Sequence, residues 1–175
     1  MRWWLAILMG VWGAPVAAQD TLPGLPPGNA VGGTLEYYMV NGVSLPGAAL
    51  RVTGLAAGRW RPTFAVGAVF GQSGGSPGAL TLELGSAYNH PVRGAHLLVE
   101  GGATGLMVAA DGANASFIGA YVGAGIIGRV SEGLGLRVGL GRRWFLTGYR
   151  PVGVTVFSVG LTALPRRAPA AASPP

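Results

Sequence analysis

Between residues 34 and 163 the chain alternates large apolar side chains with small or polar ones. Trp60, Pro62, Phe64, Val66, Ala68 and Phe70 share one parity; Arg59, Arg61, Thr63, Ala65, Gly67 and Gly71 share the other, with Val69 the large exception. Leu80, Leu82 and Leu84 likewise stand against Thr81, Glu83 and Gly85. Ile118, Ala120, Val122, Ala124, Ile126 and Val130 stand against Gly119, Tyr121, Gly123, Gly125 and Arg129, and Leu134, Leu136, Val138 and Leu140 against Gly135, Arg137, Gly139 and Gly141. A period of two is that of a strand, whose successive side chains leave opposite faces. Eight such segments are predicted, at about 34–41, 47–56, 59–71, 78–88, 94–109, 116–130, 133–146 and 152–163, separated by turn-forming Gly, Pro, Ser and Asn.

The content of the second face separates two kinds of sheet. A soluble sheet turns Lys, Glu, Thr and Ser to water, whereas here the second face is mostly Gly, Ala and Thr and only 10% of all residues are charged. Small residues suit the narrow lumen of a closed barrel, with the large apolar face turned to lipid. Trp60 and Phe70 lie ten residues apart on the apolar parity. At a strand tilt near 40° they would be about 25 Å apart along the membrane normal, the height of a lipid-facing band. Trp144 and Tyr88 fall at other predicted strand ends. Turns at 56–58, 89–92 and 131–132 read as short, and the alternate connections, including 71–77 and 147–151, as mostly longer. Barrels of this kind place short turns in the periplasm and longer loops outside. The fold expected is all-β: an eight-stranded antiparallel up-and-down transmembrane β-barrel over residues 34–163.

Composition narrows the alternatives. With 32 glycines, the chain is a poor candidate for a helical bundle, since each interior Gly costs a helix about 1 kcal/mol relative to Ala. Net charge is +6, all of it from arginine, but the arginines are scattered through apolar segments rather than gathered on one face, so no nucleic acid partner is expected. Residues 1–18 combine Arg2, an apolar run from Trp3 to Trp12 and small residues Val16-Ala17-Ala18, the pattern of a cleavable signal peptide. A Pro/Gly-rich leader is expected at 19–33 and a Pro/Ala/Arg tail at 164–175. With no cysteine there is neither a disulfide nor a thiolate metal site.

Several motifs match a chemistry in letters only. Gly123-Ala124-Gly125-Ile126-Ile127-Gly128 spells a dinucleotide fingerprint, but it precedes a Gly-rich stretch instead of a helix and no acid follows at the required distance. Gly119 and Gly123 spell the helix-packing GxxxG inside a segment that keeps strand alternation. His90 and His96, with Ser86, Ser116 and Ser158, supply the residue types of an acyl-transfer site, yet nothing sets a serine beside a histidine. No catalytic residue, cofactor or metal is therefore assigned. Charges within strands are more informative. Glu36, Glu83 and Glu100 fall in strands, and Arg51, Arg61, Glu83, Arg129 and Arg137 carry the parity opposite the lipid face. A charge at the bilayer centre costs about 3 kcal/mol or more, so these groups should point inward and pair. A lumen network of Arg51, Arg61, Glu83, Glu100, Arg129 and Arg137 is the candidate site.

The closing segments VEGGATGLMVAA, IGAYVGAGIIGRVSEGLGLRVGL and VFSVGLTAL resemble strands five to eight of the small bacterial outer-membrane β-barrel proteins, typified by the barrel domain of outer membrane protein A. The resemblance spans about residues 34–163. One departure is that such barrels commonly end on an aromatic, whereas this strand ends near Ala163-Leu164 and is followed by a tail. The resemblance implies residence in a bacterial outer membrane, with lipid and the outer-membrane assembly machinery as partners; it names no external ligand. The function expected is a non-catalytic structural or surface-interaction protein with a side-chain-filled lumen. The alternatives are a narrow, porin-like pore and a lipid-modifying enzyme.

Overall fold

The computed structural model describes residues 27–165, apart from 57, 72–76, 93, 111–112 and 149. The expected signal peptide, the first part of the leader and the end of the tail lie outside these residues. Eight strands follow one another: β1 (Gly28–Val40), β2 (Val43–Leu55), β3 (Trp60–Phe70), β4 (Pro77–Val92), β5 (Ala95–Ala110), β6 (Ala113–Ser131), β7 (Leu134–Thr147) and β8 (Arg150–Ala163). Each pairs antiparallel with the next, and β1 pairs with β8, from Val31 opposite Ala163 to Met39 opposite Thr155, closing the barrel. Closure leaves no unpaired strand edge, the condition a sheet must meet in hydrocarbon.

The alternating pattern sets the two faces as expected. Leu35, Tyr37, Leu50, Phe64, Val66, Leu82, Leu84, Val99, Ile118, Leu140 and Phe157 are exposed on the outer wall, while Thr34, Glu36, Arg51, Thr63, Glu83, Arg137 and Arg143 are buried inside. Trp60 and Tyr88 meet outside near the termini end, with ring centroids 5.6 Å apart.

Strand register fixes the tilt. The paired positions Ala30, Thr53, Thr63, Gly85, Gly102, Tyr121, Arg143 and Val154 run once around the wall. Continued one step beyond Met39–Thr155, the β1–β8 register would set Val154 opposite Val40, ten residues above Ala30. Eight strands with that offset, at the standard spacings, tilt by about 40°. Each hydrogen-bonded row therefore climbs about 3 Å per strand from β1 toward β8. On that scale Trp60 and Tyr88 sit near one rim, and Tyr37 and Trp144 sit about 20 Å above them.

Three expectations about boundaries change. β1 begins at Gly28, inside the expected leader, because its first residues pair with Leu55 and the residues before it. β4 continues through residues 89–92, so the β4–β5 turn lies at 93–94. At the end away from the termini, three of the four connections are two residues long (41–42, 111–112 and 148–149), and only 71–76 is longer. The expected loop asymmetry is thus confined to one connection. Asn41-Gly42 shows why that end is tight: φ of 47° and 82° at its two residues makes the left-handed pair that joins strands of a two-residue hairpin.

Candidate functional site

The lumen is filled in three layers. Near the termini, Ala30, Leu55, Leu98, Ile127 and Leu164 form a buried apolar cluster. Leu164 is held there by its backbone N–H, which donates to Gly133 O at 2.9 Å. Asn89 is fully buried at the same end, where its side-chain amide donates to Gly54 O at 3.1 Å and ties β4 to β2. At the opposite end Tyr38, Val69, Phe145, Val154 and Val156 form a second apolar cluster, with Leu106 and Phe117 packed against it.

Between these apolar layers lies an ionic belt. Arg51 on β2 reaches Glu36 on β1 at 3.2 Å, Glu83 on β4 at 2.9 Å and Glu100 on β5 at 3.7 Å. Arg143 on β7 pairs with Glu36 at 3.2 Å and with Glu83 through its Nε, while its guanidinium lies 4.8 Å from the centre of the Tyr38 ring. Arg137, lower on β7, places Nη2 2.8 and 2.9 Å from the Glu100 oxygens, and its Nη1 donates to Thr53 Oγ1 at 3.0 Å. The Tyr38 hydroxyl donates to Glu36. Three arginines and three glutamates cancel, so the belt is neutral. Five of the six are buried and Glu100 is half-buried.

Glycine makes room for these long side chains. Gly123 pairs with Gly141 and Gly125 with Gly139, giving β6 and β7 a patch of wall at these four positions without side chains. A Cβ on Gly123 would stand 3.5 Å from Glu100 Cγ, so the glutamate stem packs on that wall. The space left is small. A cavity of about 10 Å³ lies beside Thr34, Arg51, Thr53 and Arg137, and another of about 20 Å³ beside Glu36, Glu83, Glu100 and Tyr121. Each is close to the size that holds a single water.

The structure brings Arg51, Glu83, Glu100 and Arg137 into this belt and leaves Arg61 and Arg129 out of it. Both of those are exposed near the termini end, Arg61 as the second residue of β3 and Arg129 beside a register shift at the end of β6. Their parity is correct, but parity reports the face of a strand and not the height, and the belt sits between the two apolar layers. Glu36 and Arg143 complete the belt and were missed. Extending the β7 alternation from Leu140 by three residues would have turned Arg143 inward; Thr34, Glu36 and Tyr38 against Leu35, Tyr37 and Met39 would have done the same for Glu36.

The acyl-transfer residue types stay apart. Ser158 faces the lumen and donates to Gly139 O at 3.5 Å. His96 is buried inside, while Ser116 and His90 are exposed. Ser86 and His90 share the outer parity of β4 four residues apart, about 13 Å along the strand. Among the described residues no group of three His, Cys, Asp or Glu is arranged to hold a metal ion.

No protein-family model and no curated protein matches the chain. Solved structures do. Neisserial surface protein A is similar at a TM-score of 0.55 and 11% identity, over 77% of this chain and 94% of that one. A de novo designed transmembrane β-barrel gives 0.51 at 19% identity, over 81% and 98%. Ail, the attachment invasion locus protein of Yersinia pestis, gives 0.50 at 11% identity, also over 81% and 98%. At these identities the likeness is one of fold: a closed eight-stranded transmembrane barrel.

Proposed function

We propose that the chain is a structural or surface-interaction protein of a bacterial outer membrane, non-catalytic, with a lumen closed by side chains. The observation that carries this reading is the neutral six-residue belt between two apolar layers. An eight-stranded barrel has an interior only wide enough for side chains to fill, and here long paired side chains occupy its middle. A porin-like pore would need a continuous wet path, which the apolar layers interrupt. A lipid-modifying enzyme would need a serine and a base within hydrogen-bond reach. Outer-membrane residence is supported by the apolar outer wall and by the fold shared with Neisserial surface protein A and Ail. The short connections at the end away from the termini favour a structural role over a large adhesive surface.

Fractionation tests the first half of the proposal: the full chain should sediment with outer membranes and migrate faster unheated than boiled. Liposome swelling tests the second, with vesicles bearing the folded protein swelling no faster in arabinose than empty ones. A soluble product, or swelling proportional to the protein added, would contradict it.

A further inference from the structure

One arginine breaks the pattern of the outer wall. Arg142 has the lipid-facing parity of β7, between Leu140 and Trp144, and is exposed. Its Nη1 donates to Thr155 Oγ1 on β8 at 2.6 Å, and among the described residues no carboxylate pairs with it. The side chain does not point straight out. It lies across Gly153, where a Cβ would collide with the guanidinium. Gly153 pairs with Trp144, two residues nearer the end away from the termini than Thr155, which pairs with Arg142 itself. The charge therefore rises along the wall to the level of Trp144, where lipid head groups begin.

On the other side of Trp144 the wall is hollowed into an open groove of about 600 Å³. Ala103 and Gly105 on β5 and Ala120 on β6 form its floor, with Leu82 and Leu84 on one side and Trp144 on the other. Leu84, Ala103, Ala120 and Trp144 form one hydrogen-bonded row. Because rows climb from β1 toward β8, this one descends from Trp144 to Leu84 by about 9 Å into the lipid band. A cation at head-group height thus stands across Trp144 from an apolar trough that leads down into the lipid band.

We propose that this face of β4–β8 binds one anionic phospholipid, its phosphate on Arg142 and Thr155 and an acyl chain in the groove floored by Ala103, Gly105 and Ala120. The guanidinium supplies charge-assisted hydrogen bonds to phosphate oxygens. The small residues let a chain lie against backbone, where larger side chains would hold it off.

The test is native mass spectrometry of the folded full-length protein released from detergent with dioleoylphosphatidylglycerol, dioleoylglycerol or inorganic phosphate. One phosphatidylglycerol should be retained, while dioleoylglycerol, which lacks the charged hydrogen-bonding group, and inorganic phosphate, which lacks the acyl chain, should each be held at least about tenfold less. Arg142→Gln should lower phosphatidylglycerol retention by a similar factor, as should Ala120→Leu, which fills the groove from the outer face. Gly153→Ala, which keeps the charge and displaces it from its cradle, should give an intermediate loss. Arg150→Gln, at an exposed strand end, should change nothing. Heat-modifiable migration checks that each variant is folded. Equal retention in the unmodified, Arg142→Gln and Ala120→Leu proteins would reveal only annular lipid and overturn the proposal. So would displacement of the lipid by inorganic phosphate, which would make Arg142 an ion site, or equal losses in Arg142→Gln and Arg150→Gln, which would make the effect one of net charge.

Discussion

Glu83 is held by Arg51 and Arg143 from different sides of the lumen, so its removal leaves two buried cations sharing Glu36. A buried pair broken on one side costs about 3–5 kcal/mol, because the remaining charge is neither hydrated nor neutralised. Glu83→Ala should therefore lower barrel stability by that order in urea titrations of the refolded protein. Arg61→Ala, exposed and outside the belt, should stay within about 0.5 kcal/mol; equal losses would remove the belt from the stability account. On the outer wall Val66 is exposed among Phe64 and Leu82. Val66→Arg should cost roughly 2–4 kcal/mol in lipid vesicles, because a charge replaces an apolar group near mid-membrane. No penalty there would mean that this wall faces water. Much at this scale was legible. The parity of Arg51, Glu83 and Arg137 could be read from neighbours one residue away, whereas the exclusion of Arg61 and Arg129 depends on height, which emerges only from register between strands.

Strand closure depends on residues that carry little pattern. Gly28 to Gly33 reads as a leader because two of its six residues are adjacent glycines without side chains to alternate. Its strand character comes from partners on both sides: Gly32 lies opposite Arg51 on β2 and Thr162 on β8. Removing residues 19–27 should leave a heat-modifiable barrel. Removing 19–33 deletes the pairs of Val31, Gly32 and Gly33 with β8 and should abolish the fast-migrating form. Survival of that form in the longer deletion would mean that closure does not need this edge. β3, β5 and β7 were easier to place, because their apolar residues are large and their turns are marked by Gly. The β4–β5 turn was misplaced because Pro91 suggested an end, yet Asn89, His90, Pro91 and Val92 continue opposite Leu98, Leu97, His96 and Ala95.

At the scale of the whole molecule, charge is divided between inside and outside. The belt holds three arginines and three glutamates, so the net charge of +6 resides entirely elsewhere in the chain. The inside is neutral, paired and bounded by apolar layers, and what remains is room for about one water in each of the two cavities beside the belt. Composition foretold the narrow interior through its glycines, but not the layering, because each layer is assembled from residues on four to six different strands. Conductance of the unmodified protein in planar bilayers bears on this sealed lumen most directly. The account predicts silence at moderate voltage and, if anything, a small leak once Glu83→Ala opens the belt. Steady ion-selective conductance from the unmodified protein, altered in selectivity and not in stability by Glu83→Ala, would contradict it and make the lumen a pore.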